Sequence, residues 1–146
     1  MSKDELDNLV KINLLDVEPG AQAEFDGLVT SGSNRLADVR NKDLSEESQF
    51  DLAYNAAHSL ALAALRQNGY RPKRNRYAVF QALAHTVTGL TAADIEVFSR
   101  AHNERNLAEY QGRTEVNEQL LADLIACTTK LEAAVLKLAP PTDKQN

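Results

Sequence analysis

Five residues on one short stretch, His102, Arg105, Asn106, Glu109 and Tyr110, are of types that handle phosphate and protons. At 100° per residue, His102, Arg105 and Glu109 fall within about 40° of Phe98 on a helical wheel, with Asn106 and Tyr110 flanking one side. A guanidinium stabilises charge developing on a phosphoryl oxygen, and an imidazole moves a proton near neutral pH. The same face begins with Ile95, Phe98 and Ala101, so Arg105 continues an apolar surface. An arginine so placed needs company, because burying it alone is costly; Glu109 one turn on, Glu104, Glu96 or groups across a subunit interface are the candidates.

A second concentration of positive charge lies at Arg66, Arg71, Lys73, Arg74 and Arg76. It has the makings of a phosphate or RNA-backbone site, although only Tyr70 and Tyr77 offer rings on which bases can stack. The preferred reading is a basic loop that is solvated or paired within the chain. His58 and His85 read as packed or hydrogen-bonded histidines, since metal binding requires partners that the spacing does not supply. No Gly-rich phosphate loop, serine nucleophile elbow or paired-carboxylate metal motif is present, and no cofactor is expected.

The totals narrow the function classes. At 146 residues, with 43% hydrophobic and 25% charged, the chain has the composition of one ordinary folded domain. A formal charge of −5 argues against a protein that coats nucleic acid by bulk electrostatics, so any such contact must be local. The single cysteine, Cys127, forms no intramolecular disulfide and reads as core packing in a reducing compartment. The acidic start from Met1 to Asp7 does not resemble a signal peptide, and no stretch reaches membrane-spanning length; the expectation is a cytoplasmic protein without a membrane partner.

These groups must be positioned by helices, because apolar residues recur at three- and four-residue steps. Ser2 and Glu5 suggest a capping box for a first helix carrying Leu6, Leu9, Val10 and Ile12, which breaks around Pro19-Gly20. Pro19 suits the first turn of a second helix with Ala23, Leu28, Leu36 and Val39 on its face, weakened by Gly27, Gly32 and the Ser/Thr run. Ser45 caps a third, alanine-rich helix with Phe50, Ala53, Tyr54, Ala57, Leu60, Ala61, Ala64 and Leu65, stopped by Gly69; so many alanines suggest close helix approach. The run from Arg71 to Arg76 is expected to be a loop, since Pro72 disfavours helix before it. A fourth helix spans Tyr77 to Thr88 and ends at Gly89, a fifth opens at Thr91 and Asp94, and a last runs from Val116 to Leu138 before Pro140-Pro141. No alternating strand pattern competes. The expectation is an all-α, antiparallel up-and-down bundle of five to six helices over residues 1–139, with 140–146 a disordered tail.

On this layout, Arg105-Asn106-Leu107-Ala108-Glu109-Tyr110 resembles the Arg-Asn-x-x-x-His motif of the HEPN family, the higher-eukaryote and prokaryote nucleotide-binding domains. The stretch from Ala53 to His58, the Gly69-Tyr70-Arg71-Pro72 turn and a closing amphipathic helix are similar to the family's arrangement, covering roughly residues 45–138. The resemblance implies a helical bundle that pairs as a homodimer across the motif helix. In its ribonuclease members the arginine and histidine meet their symmetry mates in the dimer cleft and cleave RNA without metal. Arg105 matches the arginine and Asn106 the residue after it, but Tyr110 stands where the histidine belongs. A phenol with a pKa near 10 is a poor general base at pH 7. The expectation is therefore a non-catalytic binding or regulatory module for a nucleotide, RNA or partner protein, a partner nucleotidyltransferase among them. The alternative is a metal-independent, toxin-like ribonuclease using Arg105 with His102 or Tyr110.

Overall fold

The computed structural model describes residues 3–112 and 115–141. In order come α1 (Lys3–Lys11), β1 (Leu15–Val17), α2 (Gln22–Asp38), α3 (Glu46–Gln67), β2 (Tyr70–Pro72), α4 (Ala78–Gln81), a 3-10 turn (Leu83–His85), α5 (Ala92–Gln111) and α6 (Glu118–Leu136). The expected all-α bundle stands. Helix α3 is its axis: Ala53, Ala56, Ala57, Leu60, Ala61, Ala63, Ala64 and Leu65 are all fully buried, so the helix is covered on nearly every side by α2, α5 and α6. Its alanines are what allow this, because short side chains let helix axes approach closely. Gly32, read from sequence as a weakness in the second helix, is a crossing point instead. A Cβ there would stand 2.6 Å from Leu60 Cγ, so only glycine lets α2 lie this close.

Local signals place most helix ends. The Ser45 hydroxyl accepts from Ser48 N at 3.1 Å, and Thr91 and Asp94 form a reciprocal capping box at the start of α5. Asn117 caps α6 by accepting from Leu120 N. Gly69 ends α3 with φ +88°, a conformation that costs glycine nothing. The Ser2 cap and residues 142–146 of the expected tail lie outside the described residues; of that tail's start, Pro141 lies against Gly20. Cys127 is buried in the core, where burial and Asp94 push its thiol up to about 11, so it stays protonated.

Four expectations need correction. Residues 70–72 form a strand, β2, antiparallel to β1, with Leu15 opposite Pro72 and Val17 opposite Tyr70, so Arg71 and Pro72 are not in the loop expected from Arg71 to Arg76. Three-residue strands are too short to display alternation, and they form here because their backbones meet across the end of the bundle. Pro19 does not open the second helix, which begins at Gln22; its carbonyl serves Arg66 instead. The single fourth helix is split into α4 and the 3-10 turn. Burial at Ala78, Val79, Phe80, Ala82, Leu83, Thr86 and Val87 is too dense for one face of an α-helix, and the tighter winding distributes it among α1, α3 and α5. Arg66, counted with the basic loop, is a core residue only 2% exposed.

Arg66 fastens the chain before α2 to the end of α3. Its Nε donates to Glu24 Oε1 at 3.0 Å, Nη1 to the carbonyls of Glu18 and Tyr70 at 2.7 and 3.1 Å, and Nη2 to the carbonyl of Pro19 at 3.0 Å. Glu18 Oε2 lies 3.4 Å from Nη2, and Arg71 reinforces the cluster with Nε 3.0 Å from Glu18 Oε1. Every arm of the guanidinium is thus used, which is the condition for a buried charge to be tolerated. Among the described residues no helix is long and apolar enough to cross a membrane.

Candidate functional site

Helix α5 is held firmly at its start and loosely at its end. Asp94 ties it to α6 through Lys130 Nζ at 2.6 Å, and this contact with the Thr91 N–H holds the Asp94 carboxyl down at about 2. Val97, Phe98 and Ala101 are buried, but no residue of α5 after Ala101 is. Phe98 stacks on Phe80 with ring centroids 5.4 Å apart, and Phe80 meets Tyr54 edge-on at 5.8 Å. This aromatic platform carries the polar groups of the last two and a half turns.

His102 is the centre of the arrangement. Its Nδ1 lies 2.9 Å from the Tyr54 hydroxyl and its Nε2 lies 3.2 Å from Asn106 Nδ2. With the amide donating to Nε2, the ring proton sits on Nδ1 and is donated to Tyr54 Oη. Tyr77 lies over the imidazole at a centroid distance of 4.8 Å. Burial, then the charges of Arg105 and Arg76, lower the affinity of His102 for a proton, so the ring is neutral at pH 7. Tyr54 is pushed up by burial and keeps its proton.

Arg105 faces inward, as its place on the apolar stripe suggested. Its guanidinium carbon lies 5.0 Å from the centre of the Tyr54 ring, its side chain is 25% exposed, and its carboxylate neighbour Glu109 is at 3.9 Å. The cation is thus held over an aromatic face more than by an ion pair. Asn106 sits beside it through His102, whereas Tyr110 is 88% exposed and touches none of these groups. The structure therefore brings together Arg105, His102, Asn106 and Glu109, and leaves Tyr110 apart.

It also adds residues that sequence reasoning placed elsewhere. Arg76 Nε donates to His58 Nε2 at 3.4 Å, and His58 packs edge-on against Phe80. Tyr54 and His58 are visible in the sequence as an i, i+4 pair on one helix, but nothing there ties that face to α5. The remaining basic residues divide. Arg71 pairs with Glu18 and Glu24, and Lys73 with Asp16 at 3.5 Å, as the paired-loop reading expects. Arg74 and Arg76 pair with no carboxylate among the described residues. His85 stands apart from the cluster, in the 3-10 turn.

His58 gives the site a measurable signature. Burial first, then the charges of Arg76, Arg105 and His102, push its pKa from 6.5 down to about 4. The folded state thus binds this proton more weakly than the unfolded chain does. Its contribution to stability is fully present above pH 6.5 and is lost as pH falls towards 4, by on the order of 2–3 kcal/mol. Urea unfolding at pH 7.0 and 4.5 tests this: His58→Phe should lose clearly less stability over that interval than the parent chain. Equal losses would contradict the assignment.

Beyond Arg105 the seam between α3 and α5 opens into a cavity of about 260 Å³ lined by the carboxylates of Glu47, Asp51, Glu104, Glu109 and Glu115 together with Phe50. Arg105 lines it too, and so stands between an acidic hollow and the Arg76–His58–His102 cluster. The arrangement supplies donors for an anion on one side of the guanidinium and carboxylates on the other. No protein-family model, curated protein or solved structure matches this chain.

Proposed function

We propose that this chain is a non-catalytic binding or regulatory module of HEPN type, which takes a phosphate-bearing ligand, nucleotide or RNA, at Arg105 and pairs with a second copy across α5. The observation that carries this reading is the state of His102. Both ring nitrogens are engaged, Nδ1 by Tyr54 and Nε2 by Asn106, and the ring is clamped under Tyr77. An imidazole so held orients its neighbours but has no free nitrogen with which to take a proton from a substrate. Arg76 has no carboxylate partner among the described residues and Arg105 only Glu109, at 3.9 Å, which suits both guanidinium groups to phosphate oxygens.

A second reading, metal-independent RNA cleavage, has one observation in its favour. His102, not Tyr110, is the proton-carrying group beside Arg105, and it is neutral at pH 7. Breaking its bond to Asn106 would free Nε2.

The two readings separate in one experiment. Binding of a fluorescent RNA oligonucleotide and of mononucleotides is measured by anisotropy at rising salt, with chelator present, and the RNA is run on a gel afterwards. The binding module predicts intact RNA, affinity that falls with salt, and a loss of about tenfold or more in Arg105→Ala, the weight of one charge-assisted contact. Cleavage that disappears in Arg105→Ala would replace it with the ribonuclease. Absence of binding even at low salt would leave a protein as the ligand.

A further inference from the structure

Two guanidinium groups and two imidazoles converge around Tyr54. His58 follows Tyr54 by one turn on α3, and Tyr54 carries Arg105 over its ring and His102 at its hydroxyl. Arg76 reaches the same place from the chain before α4, its Nε donating to His58 Nε2 at 3.4 Å. Phe80, from α4, lies edge-on to His58 and supplies no charge. The charges that reach His58 are therefore those of Arg76, and of Arg105 and His102 on α5, with no carboxylate among them. Both arginines also act on Tyr54 and on His102, and Glu109 meets Arg105 at 3.9 Å.

The two histidines differ in what a second ring proton costs them. His102 is engaged at both nitrogens, and protonation of its Nε2 would set two donors, the ring and the Asn106 amide, against each other. His58 accepts only from Arg76 Nε among the described residues, so its ring proton sits on Nδ1. Arg76 is an exposed side chain, free to turn towards a ligand and leave His58 Nε2 open. The remaining obstacle is charge: an imidazolium at this place stands among guanidinium groups in a buried setting, and in the free chain that holds the ring neutral down to about 4. An anion lying against Arg76 and Arg105 removes this obstacle. Its oxygen would face Nε2 in place of the Arg76 donor, and an oxygen acceptor there requires an N–H opposite it.

We propose that the anion site at Arg105 and Arg76 takes up one proton together with its phosphate-bearing ligand, on His58 Nε2, so that binding strengthens in mildly acidic solution. This deepens the proposed function and rests on its reading of Arg105 as a phosphate contact. The proton comes from solvent and forms one N–H bond; no bond to the ligand is made or broken. Linkage fixes the sign. The free site holds this proton weakly and the occupied site holds it more strongly, so lowering the pH must tighten the ligand by the same factor that the ligand tightens the proton.

A rhodamine-labelled oligouridylate tests this on the full chain at fixed ionic strength, because neither uracil nor a phosphodiester changes charge between about pH 5.5 and about pH 7.5. The parental chain should bind about five- to tenfold more tightly at the lower pH, the gain expected when binding returns His58 to the ordinary histidine range. His58→Gln keeps an acceptor for Arg76 but takes up no proton, and should bind equally at both pH values. Its carboxylates are those of the parent, so their own titration cancels in the comparison. His85→Asn, outside the cluster, should keep the parental response. The histidine ring resonances of the parental chain read the proton directly, whether or not the variant folds. His58 should stay neutral to about pH 5 in the free chain and titrate near its ordinary value of 6.5 in the complex. Equal parental affinity at the two pH values, an undiminished response in His58→Gln, or a bound-state proton on His102 instead of His58 would each overturn the proposal while leaving phosphate binding in place. A chain that binds no oligouridylate at either pH removes the ligand reading and this inference with it.

Discussion

Arg66→Ala should destabilise the fold by about 3–5 kcal/mol, the range for removing one partner of a buried charge network. The loss is not of one ion pair. It leaves the carbonyls of Glu18, Pro19 and Tyr70 without the donors that Arg66 supplies and the carboxylates of Glu18 and Glu24 with Arg71 as their remaining cation. Since a domain of this kind is stable by only about 5–15 kcal/mol, the variant should unfold at a much lower urea midpoint. Arg66→Lys keeps the charge but cannot reproduce the fork, and should fall between the two. Glu24→Gln should cost no more than about 1 kcal/mol, because that carboxylate is 35% exposed and water can replace its partner. An Arg66→Ala midpoint close to that of the parent would mean that the clasp is redundant.

Phe80→Ala should be comparably severe, at about 3–5 kcal/mol, the usual cost of emptying a large buried aromatic site. Phe80 is 1% exposed and touches the rings of Tyr54, His58, Tyr77 and Phe98, so the cavity would open under every residue that positions His102. Two measurements separate fold from site. Urea unfolding reads the stability loss, and the histidine ring resonances in NMR read whether His58 and His102 keep their separate environments. Phe80→Leu should recover part of the stability, because it refills most of the volume, but not the ring contacts. Unchanged His58 and His102 signals in Phe80→Ala would show that the aromatic platform is not what holds the site.

The contrast between these two residues shows where sequence reasoning succeeds. Phe80 is legible as core from its spacing with Val79 and Leu83, since a repeating apolar pattern reports burial directly. Arg66 is not, because a charged residue reads as surface until its carboxylate and carbonyl partners are known, and all of these but the Tyr70 carbonyl lie 42 to 48 residues away. The same distinction runs through the site. Arg105 reads as facing inward because it continues the stripe of Phe98 and Ala101, and it does so in the structure. His102 is a candidate by its position one turn before Asn106, and the two are in contact. Tyr110, one turn further on, joins them only through the motif resemblance; α5 has by then left the bundle and the ring meets nothing.

Local chemistry is enough to set the helices whose ends carry their own signals. The Ser45 cap, the Thr91–Asp94 box and the positive-φ stop at Gly69 each satisfy or release backbone groups within a few residues, so no distant contact is needed to set them. The paired strands, the splitting of the fourth helix, the burial of Arg66 and the meeting of Tyr54, His58 and Arg76 with Arg105 arise from packing instead. Each of these depends on groups brought together from far apart in the chain, and their interaction energies exist only once the helices have packed.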